Sequence, residues 1–267
     1  ERTIARETLA LLRGSGPGYS PKLEERLRAV LPACAVKGIR IVTNMGAAAP
    51  VPAAHAACAL AAELDVRDFS CAVLIGDDVR DQLSTRAELT LLESGEPLES
   101  ILPRMASANA YLGADAVAEA MASGALAVIT GRIADPSLFV GPMLHAFGWS
   151  YDDYAKLAQA TAAGHLLECA GQVTGGYFAD PGVKDVADLA RLGFPFADIT
   201  PTGEVTIGKL TDAGGRVDVA TCSEQLLYEI DDPGAYITPD CVLDMGGISL
   251  RQSAPDRVQV SGARAAP

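Results

Sequence analysis

Two groups of residues in this sequence have the types and spacing that proton transfer requires. Asp77 and Asp78 follow an apolar run after a single glycine, Gly76. At this position one carboxylate suits the cap of the next helix, and the other suits a base, a ribose contact or a metal ligand. His165 and Glu168 are three positions apart, so on a helix they share one face and form an acid–base couple that titrates near neutrality. These four side chains are the predicted catalytic candidates.

Asn44, Gly46 and Arg132 are predicted to bind a ligand. Asn44 and Gly46 belong to a stretch of small residues after another apolar run, where a ligand can approach the backbone and meet an amide donor and acceptor. An ordinary strand-to-helix turn is the structural alternative. Arg132 follows a third apolar run, and its planar guanidinium suits a carboxylate or a phosphate. The alternative for Arg132 is a salt bridge to Asp135 or Asp77.

The glycine-rich stretch over residues 164–176 adds Gln172, Thr174 and Gly175 as predicted ligand-binding residues. It holds four glycines together with His, Glu, Cys, Gln and Thr side chains within thirteen positions. Cys169 in this stretch would be a nucleophile if a histidine or a helix N-terminus lowered its pKa. The apolar residues on both sides of Cys169 favour a packed thiol instead.

The spacing of histidines, cysteines and glycines gives little support to a bound metal or cofactor. The three histidines lack zinc-ligand spacing, whereas a carboxylate-rich Mg²⁺ site needs no fixed spacing and stays open. The six cysteines form no C-x-x-C pair, and the G-x-G-x-x-G pattern of dinucleotide sites is absent from the first loop. We therefore predict no resident cofactor and no metal ligand. The cysteine usage fits a reducing cytoplasm.

The polar loops follow apolar runs that predict the strands of a parallel sheet. These runs, each continuously apolar or β-branched, are Ile39–Thr43, Cys71–Ile75 and Ala125–Thr130. Alanine-rich helical segments lie between them at Ala53–Leu64 and Ala114–Ala122, and strands that alternate with helices indicate βαβ units. Because ligands bind at the carboxyl ends of such strands, we expect the polar loops to converge around one anion-sized cavity.

The remaining elements are predicted from apolar spacing, glycines and capping residues. Helices are expected at Arg2–Arg13, Pro21–Cys34, Ser137–Phe147, Tyr151–Ala163 and Val183–Leu192, with Gly164 closing the fourth. Strands are expected at Ile199–Ile207 and Arg216–Thr221, a helix from Ser223 to Ile230, and a hairpin over Ile248–Ser261. We predict an α/β fold with a mostly parallel sheet flanked by helices over residues 1–193. A smaller, β-rich mixed α+β part over residues 194–267 is expected to pack on this core.

The charge balance limits the classes of partner. Lys and Arg total 21 against 34 Asp and Glu, a formal net charge of -13 over 267 residues. Nucleic acids and anionic membranes both need a basic face, so neither is an expected partner, while a local basic pocket for a small anion remains allowed. The sequence has no apolar run of membrane-spanning length and no signal-peptide pattern. The expected partner is a small-molecule substrate, and a homo-oligomer stays open.

Several long segments resemble the acyclic terpene utilisation (AtuA-type) family. They are Glu1-Arg2-Thr3-Ile4, Thr43-Asn44-Met45-Gly46, Gly76-Asp77-Asp78, Gly131-Arg132 through Asp135-Pro136-Ser137-Leu138, Phe147-Gly148-Trp149, Gly164–Gly182 and Glu224-Gln225-Leu226-Leu227-Tyr228-Glu229. The resemblance covers nearly the whole chain. It implies a preceding glycine-rich strand with a Gly-Asp element and a further small domain after the last residue, so the sequence is expected to be cut at both ends. Ala49 and Asp231 depart from the family, which usually has Asn and often has His there.

The resemblance implies a role in the bacterial catabolism of acyclic terpenes such as citronellol and geraniol, which proceeds through coenzyme A thioesters of methyl-branched acids. The leading expectation is an enzyme, a lyase, hydratase or hydrolase, that acts on such a thioester or acid through an anionic group. A non-catalytic subunit that binds the same ligand or a partner enzyme is the first alternative. A metal-dependent hydrolase or lyase is the second alternative. The family assigns no catalytic residue, so the site residues above rest on their chemistry alone.

Overall fold

The computed structural model of the protein describes residues 2–86 and 88–267. Glu1, the first residue of one segment that resembles the family, lies outside the described residues. The chain forms two compact units, of which one comprises Glu1–Leu112 and Glu119–Ile133 and the other Gly113–Ala118 and Ala134–Pro267. Each unit has buried apolar clusters of its own. Residues on both sides of position 193 belong to the second unit, and the division predicted at that position stays a prediction.

A small parallel sheet belongs to the first unit. Its strands are β1 (Ile41–Thr43), β2 (Cys71–Leu74) and β3 (Ala127–Thr130), and they lie in the order β1-β3-β2. Both neighbouring pairs are parallel. The central strand β3 is buried along its whole length, as expected for a strand with neighbours on both edges. The three apolar runs are therefore strands, with shorter bounds than predicted.

Helices connect and cover these strands. The helices in the first half of the chain are α1 (Arg2–Leu12), α2 (Leu23–Lys37), α3 (Pro50–Glu63), the single turn α4 (Arg80–Leu83) and α5 (Ala114–Ala122). Helix α2 ends at Gly38, whose φ of 66° lies in the left-handed region that glycine adopts without cost. The alanines of α3 let it pack closely, because Ala53 and Ala57 are fully buried beside Leu23 and Ile129.

The second unit contains two antiparallel sheets and a central buried helix. Its helices are α6 (Ser137–Phe147), α7 (Tyr154–Glu168) and α8 (Val219–Leu226). Its strands are β4 (Pro195–Ile199), β5 (Val205–Lys209), β6 (Tyr236–Ile237), β7 (Val242–Asp244), β8 (Ser249–Ala254), β9 (Arg257–Ser261) and β10 (Arg264–Ala266). One sheet has the order β4-β5-β9-β8 and the other β10-β7-β6. Every residue of α7 from Ala160 to Leu166 is buried, as expected for a helix surrounded by protein.

The prediction of a mixed α/β fold is confirmed, whereas a mostly parallel sheet is not supported. The described residues form three sheets, and the parallel one has three strands while the other two are antiparallel. Tight turns explain the antiparallel pairing, because β4 and β5 are joined through Gly203 at φ 90° and β8 and β9 through Asp256 at φ 54°. The predicted hairpin over Ile248–Ser261 is therefore confirmed.

The predicted end of α7 at Gly164 is wrong, because the helix continues through this glycine to Glu168. A Cβ atom at position 164 would lie 2.8 Å from both the Cα atom and the carbonyl oxygen of Pro136. The glycine therefore allows α7 to approach the backbone before α6. The close approach of the two backbones therefore explains why residue 164 is a glycine, and helix termination does not.

Two other predicted elements are also wrong. Residues 183–192 hold a 3₁₀ turn at Leu189–Arg191 where an α-helix was expected, and Asp188 before that turn has a left-handed φ of 54° that interrupts a helix. The expected strand over residues 216–221 contains the start of α8. Asp218 accepts a hydrogen bond from the Thr221 backbone N–H, and the Thr221 hydroxyl accepts one from the Asp218 N–H. This capping box starts α8 earlier than the predicted cap at Ser223.

None of the helices in the part of the chain that the structure describes combines the length and the apolar character that crossing a bilayer requires.

Candidate functional site

The carboxylate of Asp77 lies at the carboxyl end of the parallel sheet of the first unit. Asp77 is buried, and its Oδ2 atom accepts hydrogen bonds from the backbone N–H of Arg132 at 2.7 Å and from Nδ2 of Asn109 at 3.0 Å. A side chain at Gly131 would collide with this carboxylate, so the glycine after β3 makes the contact possible. The loops after β2 and β3 therefore meet at Asp77. That all the polar loops converge around one anion-sized cavity stays a prediction.

The other predicted residues of these loops make local contacts. Gly46 lies against β3, since an added Cβ atom would lie 2.5 Å from the Thr130 carbonyl oxygen. The carbonyl oxygen of Asn44 accepts the Ala47 N–H at 3.2 Å, which closes a turn after β1. Asp78 is exposed and its Oδ1 atom accepts the N–H of Arg80, the first residue of α4, at 3.0 Å. Asp78 thus stabilises the start of a helical turn, which is the structural role that the sequence analysis gave to one of the two carboxylates.

A cleft of about 260 Å³ lies beside Asp77. The loops after β1 and β2, the segment over residues 106–109 and the α1 residues Thr8, Leu11 and Leu12 line it. Its position at the carboxyl ends of parallel strands is the usual place for a ligand in such sheets.

Arg132 is buried at 7% exposure. Its Nε atom donates to the carbonyl oxygen of Ile133 at 2.8 Å, its Nη2 atom contacts the same oxygen, and its guanidinium carbon lies 4.6 Å from the centre of the Tyr111 ring. These contacts fix the guanidinium beside the loop after β3. The anion-binding role of Arg132 stays a prediction.

In the second unit, His165 and Glu168 form a buried hydrogen-bonded pair near the end of α7. The Nδ1 atom of His165 lies 2.9 Å from Oε1 of Glu168, and the side chains are 1% and 12% exposed. The spacing of three positions brings them together because α7 continues through Gly164, beyond its predicted end. The structure therefore contains the contact on which the predicted acid–base couple depends.

Burial raises the pKa of Glu168 above its ordinary value, and this effect exceeds the lowering caused by the hydrogen bond and charge of His165. The nearby carboxylates of Asp135 and Glu229 raise the pKa further, since they disfavour a second negative charge. Glu168 thus holds its proton to higher pH than an exposed glutamate does. A carboxyl group with a raised pKa beside a histidine is a suitable general acid–base pair.

Four buried polar atoms around this pair have no hydrogen-bond partner among the described residues. They are Nε2 of His165, Oε2 of Glu168, Oε1 of Gln172 and Oε1 of Gln225. Native proteins satisfy most buried polar atoms, so each of these atoms is a position where a hydrogen bond from a ligand or a water molecule would stabilise the protein. We call the side chains of His165, Glu168, Gln172 and Gln225 the polar cluster.

Hydrogen bonds join three members of the polar cluster, since His165 contacts Glu168 and Gln225 contacts the backbone of His165. Gln225 on α8 donates from Nε2 to the backbone carbonyl of His165 at 3.2 Å and hydrogen-bonds the Cys169 thiol. The side chain of Gln172 lies close to the Tyr228 hydroxyl. Gln225 was missed by the sequence reasoning, because a glutamine on a short helix carries no spacing signal. Its position within one of the family-like segments was the available clue.

The other predicted residues of the glycine-rich stretch make contacts that stabilise the local backbone conformation. The hydroxyl of Thr174 donates to the carbonyl oxygens of Gly171 at 3.1 Å and Gly193 at 2.6 Å. Gly175 has a φ of 107°, and an added Cβ atom would lie 2.8 Å from Val186. Burial raises the pKa of the Cys169 thiol to about 11, which favours the packed thiol over the nucleophilic thiolate. The ligand-binding roles of Thr174 and Gly175 stay predictions.

An apolar pocket of about 380 Å³ is also present in the second unit. Leu138, Phe139 and Met143 of α6, Leu167 of α7 and residues at the start of β4 line it. We call this the apolar pocket. Its volume is in the range of pockets that hold small organic ligands.

The predicted site residues thus fall into two groups with local structure of their own. Asn44, Gly46, Asp77, Asp78 and Arg132 belong to the first unit, while the candidates from residue 165 onward belong to the second. Within residues 2–86 and 88–267, no three His, Cys, Asp or Glu side chains come together in the arrangement of a metal site.

The fold and these sites define an α/β protein with a cleft at the carboxyl end of a parallel sheet and a buried His–Glu pair. The profile of the family described as acyclic terpene utilisation family protein AtuA matches residues 1–267. The chain therefore belongs to the acyclic terpene utilisation family, which confirms the resemblance in the sequence and implies a role in acyclic terpene utilisation. Searches of curated proteins and of solved structures gave no match.

Proposed function

We propose that this protein is an enzyme of acyclic terpene utilisation that transfers a proton on a methyl-branched acid or its coenzyme A thioester. The single observation that supports this proposal best is the buried contact between His165 and Glu168. General acid–base catalysis needs a group that exchanges its proton near the working pH. Family membership supplies the terpenoid context.

The pair has two forms that differ by one proton. With Glu168 ionised, Nδ1 of neutral His165 donates to Oε1 and Nε2 is an acceptor. When Nε2 takes up a proton, the Nδ1 proton moves to Glu168, whose carboxyl group then donates to Nδ1. A proton that leaves the substrate for one end of this pair can therefore be returned from the other end. The raised pKa of Glu168 brings the two forms closer in free energy.

The test replaces each partner in the intact protein and measures growth on citronellol as the carbon source. Glu168→Gln keeps the shape and the hydrogen-bonding groups but cannot release a proton, so we expect it to lower pathway flux by about 10²-fold or more. His165→Gln should have a similar effect. Glu204→Gln, which changes an exposed glutamate of the second unit, is the matched control and should grow normally on citronellol. All strains should grow normally on succinate.

Mass spectrometry of the acyl-CoA pool in the Glu168→Gln strain then identifies the substrate as the thioester that accumulates. Normal growth of this variant on citronellol, with no accumulated thioester, would refute the catalytic proposal. That result would favour the non-catalytic binding or partner subunit, since a binding protein needs the shape of the pocket and no exchangeable proton.

A further inference from the structure

We propose that the cleft beside Asp77 in the first unit binds a small aliphatic α-amino acid, with its ammonium group at Asp77 and its carboxylate at Arg80. This inference is independent of the proposed function, which concerns a pair of residues in the second unit. It combines three properties of the cleft lining: a buried carboxylate, an arginine of the opposite charge and an apolar wall.

The carboxylate of Asp77 is buried beside neutral groups only. Asp77 is 5% exposed, and its Oδ2 atom accepts hydrogen bonds from the backbone N–H of Arg132 and from the amide of Asn109. Within residues 2–86 and 88–267, no lysine, arginine or histidine side chain forms an ion pair with it. Buried charges are normally paired, because a charge that has lost its hydration needs an opposite charge nearby. A cationic group in the cleft would supply that charge.

The other carboxylate oxygen of Asp77 is open to the cleft. No hydrogen bond from the described part of the chain reaches Oδ1, yet Oδ1 is not one of the atoms that are both unpartnered and buried from solvent. It is therefore reachable from the cleft that Asp77 lines. Asn109 and Ser107 line the same cleft, and the Asn109 amide donates to Asp77, which leaves its own oxygen as an acceptor. An ammonium group has three donors and suits these oxygens.

Arg80 supplies the positive charge for a carboxylate. Its Nε atom donates to the carbonyl oxygen of Met105 at 3.0 Å, which fixes the side chain. Asp78 accepts the Arg80 backbone N–H, and no contact among the described residues uses the two terminal nitrogens of the guanidinium. These two nitrogens suit the two oxygens of a carboxylate. Because Arg80 and Asp77 line one small cleft, a ligand with both charges close together can reach both.

The apolar wall accounts for the aliphatic part of the ligand. Leu11, Leu12 and Ile75 line the cleft and are 46%, 61% and 67% exposed. A ligand that covers these side chains gains stability from the apolar surface that it buries. The volume of about 260 Å³ is below the range of pockets for drug-sized molecules, so it suits an amino acid and is too small to enclose a coenzyme A thioester. A metal ion would use neither Arg80 nor the apolar side chains.

The experiment measures binding to the intact protein by calorimetry with four probes. L-norleucine carries both charges and an unbranched alkyl chain. Pentylamine lacks the carboxylate, hexanoate lacks the ammonium group, and glycine lacks the alkyl chain. We expect norleucine to bind at least about tenfold more tightly than each of the other three, since each of them loses one of the three contacts.

Variants assign each charge of the ligand to its partner. Asp77→Asn keeps the shape and removes the charge, so norleucine should then bind no more tightly than hexanoate. Arg80→Gln should remove the difference between norleucine and pentylamine, and because Arg80 is exposed this variant decides the matter if Asp77→Asn unfolds. Asp81→Asn and Arg67→Gln are the matched controls, because both residues are exposed, belong to the first unit and do not line the cleft. Both controls should bind norleucine normally, and circular dichroism checks the fold of all four variants.

Four results would overturn the inference. The first is no binding of norleucine at millimolar concentration, and the second is pentylamine or glycine binding as tightly as norleucine. The third is hexanoate binding as tightly as norleucine or more tightly, which would favour the anionic ligand that the sequence predicted for the polar loops. The fourth is wild-type affinity for norleucine in both Asp77→Asn and Arg80→Gln, which would place the bound amino acid elsewhere on the protein.

Discussion

Replacing Gly164 with alanine has two opposite effects on stability: it improves the helix propensity of α7 and it worsens the packing at this position. Alanine in the interior of a helix is more favourable than glycine by about 1 kcal/mol. If helix propensity alone determined the outcome, this replacement would therefore stabilise the protein. In the structure, however, the added Cβ atom would lie 2.8 Å from the Cα atom and the carbonyl oxygen of Pro136, a distance at which one of the two segments must move.

The free-energy cost of the closer contact depends on which atoms the added Cβ atom meets. Overpacking a close-packed interior costs about 1–3 kcal/mol, and Gly164 and Pro136 are both buried. The contact is with backbone atoms, which cannot rotate away as the end of a flexible side chain can, so the upper part of this range applies. The expected net result for Gly164→Ala is a loss of about 2 kcal/mol in the free energy of unfolding. This corresponds to a decrease of about 4–8 °C in the melting temperature.

Thermal and urea unfolding followed by circular dichroism measure this change. Ala155→Gly is the control on the same helix: Ala155 is exposed in the first turn of α7, so it tests propensity without packing and should lose about 0.5–1 kcal/mol. A Gly164→Ala variant that is as stable as the wild type or more stable would refute the packing argument. That result would mean that α7 and Pro136 are farther apart than the structure places them.

Two further predictions concern the ionisable groups near the end of α7. Because burial raises the pKa of Glu168 from about 4.5, the folded protein binds this proton more tightly than the unfolded chain does, so stability decreases as the pH rises from about 4.5 toward the folded pKa. Glu168→Gln should therefore melt higher than wild type at pH 7 and converge with it near pH 4.5; parallel melting curves across this range would contradict the burial of the carboxyl group. Cys169, whose pKa is raised to about 11, should react with iodoacetamide at pH 8 about 100-fold more slowly than the exposed Cys58. Peptide mass spectrometry measures both rates, and equal rates would refute the raised pKa.

The first half of the fold was predictable because local sequence and tertiary structure agree there. The runs that contain β1, β2 and β3 are apolar and end at polar or glycine residues, which is the pattern of buried parallel strands. Helix α5 and helix α6 have the bounds that the sequence predicted. In these segments, apolar spacing and helix boundaries carried enough information.

Prediction failed where the meaning of a residue depends on a distant contact. Gly164 is a helix breaker by local rules, and only its closeness to Pro136 explains a glycine inside α7. The two-residue strand β6 and the three-residue strands β7 and β10 are too short to produce a pattern. Their pairing depends on partners that are remote in the sequence.

The same distinction holds for the candidate site. The contact of His165 and Glu168 follows from their spacing on a helix, so the sequence contained it. The approach of Asp77 to the Arg132 backbone spans 55 positions and depends on Gly131, which looks like an ordinary turn residue in the sequence. Gln225 approaches His165 across 60 positions, and a single glutamine gives no sign of such a partner.

Asp77 also determines how the cleft of the first unit can change shape. Its carboxylate accepts hydrogen bonds from Arg132 and Asn109, and its backbone carbonyl accepts one from the Ala110 N–H at 2.7 Å. One residue therefore connects the loop after β2, the loop after β3 and the segment around Asn109. Because these segments are all hydrogen-bonded to one buried residue, their movement relative to one another is restrained. The exposed α1 residues Leu11 and Leu12 form a side of the cleft that these hydrogen bonds do not hold in place.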